Sequence, residues 1–345
     1  MKILVTGASG FVGRAIVAEA LQSNFEVFRL EGPNKKARIN EEKKDDESVI
    51  RADISDYSSL LDAVKIENIE NIDVIIHSAG LAHQFGEQIK DDFWRVNVRG
   101  AENVARLAAS FSAKRFILIS SVSVYGDAES GHRRKNENGI DETAECHPRN
   151  FYAQSKLESE KAVVRVCAEK KIALTVLRLA TVIGEGDKGN VARLISLIDK
   201  NRFVWLGRGE NRKSLIYKGD AARACLLVAG DSDESPGGAE IYNVTGEASR
   251  MSEIVADISL TLGKKIPKIK ISPKILNTIF FMNSNFFRLK KVSRLAATVN
   301  KWLAEDIFSG RKFERAYNFR AQTPLGEAVR RQVENYKKQK KLKEI

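Results

Sequence analysis

Cysteine and histidine are both scarce in this chain of 345 residues, which has three cysteines and four histidines. The cysteines are odd in number and far apart, without the spacing of a redox or metal motif, so we expect reduced thiols. No two histidines are four residues apart, so we expect no metal site. The residues are Cys146, Cys167, Cys225, His77, His83, His132 and His147.

The chain also lacks a cleavable signal pattern at its start. Met1 and Lys2 lead directly into a short apolar run and then glycines, so we expect a cytoplasmic protein. One apolar and aromatic stretch, "ILNTIFFMNSNFFRLKKV" (275–292), is interrupted by Asn and Ser and ends in basic residues. It is too short to span a bilayer and predicts either a covered helix or a peripheral membrane contact.

Acidic residues are outnumbered, because 57 Lys and Arg face 45 Asp and Glu, for a net charge of +12. This excess suits an anionic partner such as a nucleotide, a membrane surface or nucleic acid. Much of it lies in "RRQVENYKKQKKLKEI" near the C-terminus, which is typical of a solvated helix face. The basic residues are not interleaved with aromatic ones, so we expect no nucleic-acid partner.

Apolar strand-like runs alternate with helical patterns in the first half of the chain. This alternation predicts an α/β fold with a doubly wound parallel sheet and ligand sites at the carboxyl ends of its strands. After Arg178, Gly and Pro punctuation and shorter helices predict a smaller C-terminal substrate domain. The predicted domains are 1–178, with a returning segment near 214–230, and 179–345, mainly substrate-binding, while a charged loop is predicted over 34–48.

Three glycines, Gly7, Gly10 and Gly13, lie between the first strand and a helix that starts near Phe11. In this context the first glycine permits a tight turn, the second lets backbone approach a pyrophosphate, and the third lets the helix pack on the strand. The pyrophosphate would meet the free N–H groups at the helix N-terminus. The pattern therefore predicts a dinucleotide cofactor.

The stretch "TGASGFVG" has the spacing G-x-x-G-x-x-G and resembles the opening of the extended short-chain dehydrogenase/reductase family, the nucleotide-sugar epimerases and dehydratases. "RADISD", "IIHSAG", "VNVRG", "FILISSVSVYG" and "YAQSK" resemble further family motifs. The resemblance implies a Rossmann fold, an NAD-dependent enzyme and a nucleoside-diphosphate-sugar substrate. It implies cofactor contacts by Gly7, Gly10, Phe11, Val12, Gly13, Asp53, Ile54, Ala79, Gly80, Asn97, Tyr152 and Lys156.

An acidic residue at the end of the second strand decides between NAD and NADP, because it accepts hydrogen bonds from the ribose hydroxyls and repels a 2′-phosphate. Glu31 occupies that place and favours NAD. Arg29, Lys35 and Lys36 could meet a phosphate, which leaves NADP open. Arg29 is expected on the face opposite Leu30, away from some of the cofactor contacts.

Tyr152 and Lys156 are four residues apart on a predicted helix and so share one face. A nearby ammonium and the nicotinamide ring favour phenolate, which would lower the tyrosine pKa toward the working range. Ser121 ends the fifth strand and could hydrogen-bond the reacting oxygen. The family's dehydratases carry an Asp-Glu pair where this chain has Val122 and Ser123, which argues against dehydration.

"GDKGNVARLI" and "WLGRGENRKSLIYKGDAARA" resemble the family's diphosphate-binding region. Asn190 would cap a helix or meet the nucleotide, and either Arg212 or Lys213 would hold the diphosphate. Thr181 replaces the usual asparagine, and a late arginine-bearing segment of the family is not recognisable. The expected substrate contacts are Ser121, Ser123, Thr181, Asn190, Arg212 and Lys213.

Three functions stay open at this point. The leading one is an NAD-dependent 4-epimerase of a nucleotide sugar, which acts by transient hydride transfer at C4. The second is a nucleotide-sugar 4-ketoreductase. The third is a dinucleotide-binding sensor or assembly protein without turnover, against which the intact Ser121, Tyr152 and Lys156 argue. Relatives in this family often dimerise through two helices, here 92–111 and 152–170, so we expect a homodimer.

Overall fold

The computed structural model describes residues 1–33, 48–82, 90–126, 139–231, 237–271 and 304–344. Within them, seven strands form one parallel sheet in the order β3-β2-β1-β4-β5-β6-β10. The strands are β1 (Lys2–Thr6), β2 (Glu26–Glu31), β3 (Ser48–Arg51), β4 (Val74–His77), β5 (Arg115–Ser121), β6 (Ala173–Leu179) and β10 (Ala239–Val244). The chain order reverses between β1 and β4, so a ligand crevice is expected at the carboxyl ends of these strands.

Helices cover both faces of the sheet, which explains why its strands are apolar on both sides. α1 (Phe11–Gln22) and α7 (Lys218–Ala229) pack on one face. The other face is covered by α2 (Tyr57–Ile66), α4 (Gly100–Ser110) and α5 (Phe151–Lys170). α3 (Lys90–Phe93) leads through a π-helical turn, Trp94–Arg99, into α4, and a 3₁₀ turn, Val122–Tyr125, follows β5.

The sheet includes chain from beyond residue 178. The predicted returning segment near 214–230 contains α7, and β10 extends the sheet beside β6. α9 (Arg311–Tyr317) also returns, because Phe313 is buried in the same core as α1 and α7.

A second unit is built from β7 (Thr181–Ile183), β9 (Arg212–Tyr217) and β11 (Ala248–Arg250), with β9 in the middle. Its core lies between α6 (Asn190–Asp199), α8 (Met251–Leu262) and α10 (Leu325–Glu344). β8 (Trp205–Leu206) pairs with β12 (Lys270–Ile271) at its edge. This unit stands beside the carboxyl end of β6, because β7 follows β6 after a single residue.

Two segments that the sequence singles out, 34–47 and 275–292, lie outside the described residues, as do His83, His132, Lys35 and Lys36. Among the described residues, no helix is both long and apolar enough to cross a membrane. The same residues contain no cluster of His, Cys, Asp and Glu that could hold a metal ion. The three cysteines are free thiols.

Candidate functional site

The glycine loop between β1 and α1 is closed so tightly that side chains would not fit. Gly7 has φ +65°, and a Cβ there would lie 2.7 Å from the Cα of Ala79. A Cβ on Gly13 would lie 2.1 Å from the carbonyl oxygen of Gly7, which also accepts a 2.7 Å hydrogen bond from the Gly10 N–H. The first turn of α1, which starts at Phe11, contains no acidic residue and no side-chain cap. This loop fits a dinucleotide pyrophosphate, because backbone N–H groups and the helix dipole favour an anion.

A buried hydrogen-bond chain, which the sequence did not reveal, fixes the end of β4 against β1. The Thr6 hydroxyl lies 2.8 Å from His77 Nδ1 and accepts a 3.2 Å hydrogen bond from the Ala79 N–H. Burial, aided by the charge of Lys156, lowers the pKa of His77 to about 3, so the ring is neutral. His77 therefore supports the strand ends that flank the crevice.

Asn97 joins this region to α5. Its Oδ1 accepts a 2.7 Å hydrogen bond from the Leu81 N–H, and its Nδ2 donates to the Leu81 carbonyl at 3.1 Å and to Ser155 Oγ at 2.9 Å. A Cβ on Gly80 would lie 3.1 Å from Asn97 Oδ1 and 3.8 Å from Lys156 Nζ. Gly80, Asn97 and Lys156 are therefore in close proximity.

Arg29 lies beside Glu31, so it does not point away from this one of the predicted cofactor contacts. Residues two apart on a strand share a face, and Arg29 Nη2 is 3.4 Å from Glu31 Oε1. Glu31 itself is buried, with 7% of its surface exposed. The carboxylate at the end of β2 is therefore partly neutralised by its neighbour.

Asp53 and Ile54 follow β3. The Asp53 carboxylate accepts hydrogen bonds from Ser55 N at 2.9 Å and Ser55 Oγ at 2.7 Å, and lies 3.4 Å from Arg95. Partial burial opposes the charge, but these contacts outweigh it and lower the pKa of Asp53. Ile54 is buried and packs on Gly100, where an added Cβ would lie 2.7 Å from the Ile54 Cδ1.

Ser121, Tyr152 and Lys156 come together where β5 meets the first turns of α5. The Asn150 side chain caps α5 by accepting from the Ala153 N–H at 2.9 Å. The Ser121 side chain lies close enough to the Tyr152 phenol to act on its pKa. Lys156 is buried, and its Nζ donates a 2.6 Å hydrogen bond to the Ile119 carbonyl.

The pKa values differ from the expectation in one respect. Burial raises the pKa of Tyr152, and the Ser121 hydrogen bond only partly opposes this rise. Burial also lowers the pKa of Lys156 to about 8, against the attraction of Glu160. Burial of the ring thus raises the pKa of the Tyr152 phenol, whereas the sequence predicted a lowered pKa.

A second buried network lies one turn beyond Lys156 and was missed from the sequence. Arg178 donates to both carboxylate oxygens of Glu160, from Nη2 at 2.7 Å and from Nε at 3.1 and 3.3 Å. Ser120 donates to the same carboxylate, and Arg178 Nη1 donates to the Tyr125 hydroxyl at 2.9 Å. Tyr125 in turn donates to Asn243 Oδ1 at 2.8 Å. The network joins β5, β6, α5 and β10 directly behind the serine–tyrosine–lysine group.

A pocket opens in the second unit and contains three of the predicted substrate contacts. Thr181, Asn190 and Lys213 line it, together with Val191, Leu194, Ser214, Leu215, Met251, Ile254 and Asp306. Arg212 is not among them; it is exposed and lies 3.4 Å from Glu305, because neighbouring residues of β9 face opposite sides.

Two further details of this region differ from the sequence analysis. Gly189, and not Asn190, caps α6, so the Asn190 side chain is not used as a cap. Lys213 Nζ lies 2.7 Å from Asp306 Oδ2, and Asp306 was not predicted. The Ser123 hydroxyl is buried and has no hydrogen-bond partner in the described part of the chain, and it lies outside this pocket.

Comparison with known proteins agrees with this geometry. The model of the family described as "NAD dependent epimerase/dehydratase family" matches residues 3–245. The chain is 27% identical to an Escherichia coli O157:H7 protein, N-acetyl-alpha-D-glucosaminyl-diphospho-ditrans,octacis-undecaprenol 4-epimerase, over 78% of this chain and 75% of that protein. It is 28% identical to the UDP-glucose 4-epimerase of Vibrio cholerae over 76% of both chains.

The fold is also that of UDP-glucuronic acid 4-epimerase from Bacillus cereus, solved with NAD, with a TM-score of 0.74, 20% identity and coverage of 98% of this chain and 99% of that one. The predictions of a doubly wound α/β fold, an NAD-dependent enzyme and the extended short-chain dehydrogenase/reductase family are confirmed. The chain belongs to the NAD-dependent epimerase/dehydratase family.

Proposed function

We propose that this enzyme reversibly inverts C4 of a sugar carried on a diphosphate, with a UDP-hexose as the leading substrate. The observation that carries the proposal is the 2.6 Å hydrogen bond from buried Lys156 to the Ile119 carbonyl, which holds the first turns of α5, with Tyr152, against the end of β5, with Ser121, at the carboxyl edge of the sheet. Dehydration is less well supported, because Val122 and Ser123 lack the carboxylates that an elimination needs.

In this proposal Tyr152 accepts the proton from the C4 hydroxyl and later returns it. NAD, held at the glycine loop, would supply a reversible acceptor for the C4 hydride. Ser121 holds the reacting oxygen beside the phenol, and Lys156 presents its ammonium to the cofactor ribose and to the phenolate. With a pKa of about 8, Lys156 remains mostly charged at neutral pH.

The diphosphate would lie in the pocket of the second unit. Lys213 is the cation that lines it, and Asp306, 2.7 Å from its ammonium, orients that cation. Asn190 and Thr181 would add polar contacts there, and Ser123, outside this pocket, has a hydroxyl that is unpartnered within the described residues and could meet the sugar.

A second candidate substrate is a sugar diphosphate linked to a polyprenol. The similarity to the Escherichia coli enzyme, whose name gives an undecaprenol-linked substrate, favours it. The pocket lining is also largely aliphatic, with Val191, Leu194, Leu215, Met251 and Ile254, and such residues can pack on a nucleobase or on an isoprenoid. The sugar diphosphate is common to both substrates.

The test incubates the enzyme with UDP sugars of gluco and galacto configuration, with and without N-acetyl groups, and with the same sugars on undecaprenyl diphosphate. We expect interconversion without net change in reduced-cofactor absorbance. Consumption of NADH or NADPH with a 4-keto sugar alone would instead identify a ketoreductase, and NAD binding without any conversion would identify a sensor.

Tyr152→Phe should lower turnover at least about a hundredfold while NAD still binds, since only the acid–base hydroxyl is lost. Tyr57→Phe is the matched control, because the Tyr57 hydroxyl contacts Ser110 at an exposed site. Near-normal activity of the Tyr152 variant would contradict the proposed mechanism.

A further inference from the structure

Exposed aliphatic and lysine side chains follow one another along the chain at the end of the second unit. We define the basic apolar patch as Leu260, Lys265, Ile266, Lys268, Ile269 and Lys270, at the end of α8 and in the segment that leads into β12. Leu260, Ile266 and Ile269 expose 80%, 51% and 66% of their surface. Single exposed aliphatic residues are ordinary, but several together beside lysines indicate an interaction surface.

The segment that carries the patch is held in place by its backbone. Trp205 Nε1 donates a 2.6 Å hydrogen bond to the Pro267 carbonyl, and the Trp205 N–H donates to the Ile269 carbonyl at 2.8 Å. The side chains of Ile266 and Ile269 are therefore exposed on an anchored segment, and substituting them leaves these hydrogen bonds intact.

The C-terminal half of α10 lies alongside the patch and adds positive charge. Lys337 Nζ donates to the Thr261 carbonyl at 2.5 Å, which places α10 next to the end of α8. Lys338 and Lys341 of this helix are exposed. The nearby carboxylate of Asp199 is already contacted by Lys340 at 2.8 Å and by the Tyr336 hydroxyl at 3.0 Å.

The patch lysines keep their charge available to a partner. Among the residues that the structure describes, Lys265, Lys268 and Lys270 form no ion pair with a carboxylate. Lysine ammonium groups of this kind are attracted to an anionic surface, and burial of neighbouring Leu and Ile side chains in an apolar phase lowers the free energy. Nucleic acid fits less well, because the patch offers no aromatic side chain on which a base could stack.

We propose that the basic apolar patch docks this enzyme onto the surface of an anionic lipid bilayer. The contact is peripheral, with the lysines at the phosphate level and the three aliphatic side chains inserted among the headgroups. This inference goes beyond the proposed reaction and does not depend on the sugar that is used. Each lysine near a surface of this kind strengthens binding roughly fivefold at physiological salt.

The experiment measures co-sedimentation of the full-length protein with vesicles of phosphatidylglycerol and phosphatidylcholine, and with phosphatidylcholine alone. We expect binding to the anionic vesicles that weakens as salt is raised. The triple variant Lys265→Gln, Lys268→Gln, Lys270→Gln should bind about a hundredfold less, by the same per-lysine effect. The double variant Ile266→Ser, Ile269→Ser should also lose binding without a change in net charge.

The matched control neutralises three exposed lysines elsewhere, with Lys65→Gln, Lys161→Gln and Lys170→Gln, and should bind like the wild type. Equal loss in this control would mean that net charge and not the patch drives binding. A loss confined to Phe286→Ser, Phe287→Ser would assign the contact to 275–292 instead. If the wild type does not bind vesicles and its dimer dissociates in the isoleucine variant, the patch is an interface between copies. Any of these three results overturns the proposal.

Discussion

Glu160→Gln is the substitution whose effect the structure determines most sharply. It keeps the shape of the side chain but removes the negative charge that Arg178 contacts with Nε and Nη2. The two side chains are only 4% and 6% exposed, so the guanidinium would stay buried without a counter-charge. Removing one partner of such a pair costs about 3–5 kcal/mol, and we expect the free energy of unfolding to fall by that amount.

The assay is urea unfolding of the variant and of Glu158→Gln, two residues away on α5. Glu158 forms a similar ion pair with Lys161, 2.8 Å long, but there the side chains are 42% and 62% exposed. Solvent screening limits such a pair to about 0–1 kcal/mol. Equal destabilisation by the two substitutions would refute the argument that burial determines the strength of the Glu160 pair.

The same substitution should change cofactor binding. Glu160 attracts the Lys156 ammonium and so opposes the burial that lowers its pKa to about 8. Without that charge the Lys156 pKa falls further, and more of the lysine is neutral at a given pH. We expect the decline of NAD affinity with rising pH to begin at lower pH in Glu160→Gln than in Glu158→Gln.

Three other predictions follow from contacts around the crevice. Gly13→Ala should weaken NAD binding in a fluorescence titration, because its Cβ would lie 2.1 Å from the Gly7 carbonyl oxygen; unchanged affinity in a folded variant would contradict this. Glu31→Gln should raise the ratio of NADP to NAD affinity, since it removes the carboxylate charge that would repel a 2′-phosphate; an unchanged ratio would assign the specificity elsewhere. His77 binds a proton near pH 6.5 when unfolded but near pH 3 when folded. Stability should therefore fall as the pH drops below 6.5, by about 2 kcal/mol at pH 5, and His77→Gln should flatten that part of the profile.

The parts of the fold that the sequence predicted depend on local patterns. Alternating apolar runs and helical periodicity indicate strands and helices within a few residues, and Gly7, Gly10 and Gly13 mark a turn whose geometry only glycine allows. Tyr152 and Lys156 could be placed on one face because they belong to the same helix. Each of these inferences needs only neighbouring residues.

The features that were missed depend on distant residues. Glu160 and Arg178 are on different elements, and Lys213 and Asp306 are 93 positions apart. A sequence shows such charges without showing which of them meet. The choice between Arg212 and Lys213 depended on which side of the sheet each residue of β9 faces. A shift of one residue in the register exchanges the two sides. The position of Arg29 beside Glu31 follows from the same strand alternation that places it opposite Leu30.

The two serines at the end of β5 have separate roles, one at the reacting tyrosine and one in anchoring α5. Ser121 contacts Tyr152, whereas Ser120 contacts Glu160, eight residues farther along α5 or about 12 Å away along its axis. Residues after Ser121 can therefore be exchanged to suit a new reaction while Ser120 continues to anchor the helix. An engineer who wants a different chemistry on this scaffold should vary Val122 and Ser123 and leave Ser120, Glu160 and Arg178 unchanged.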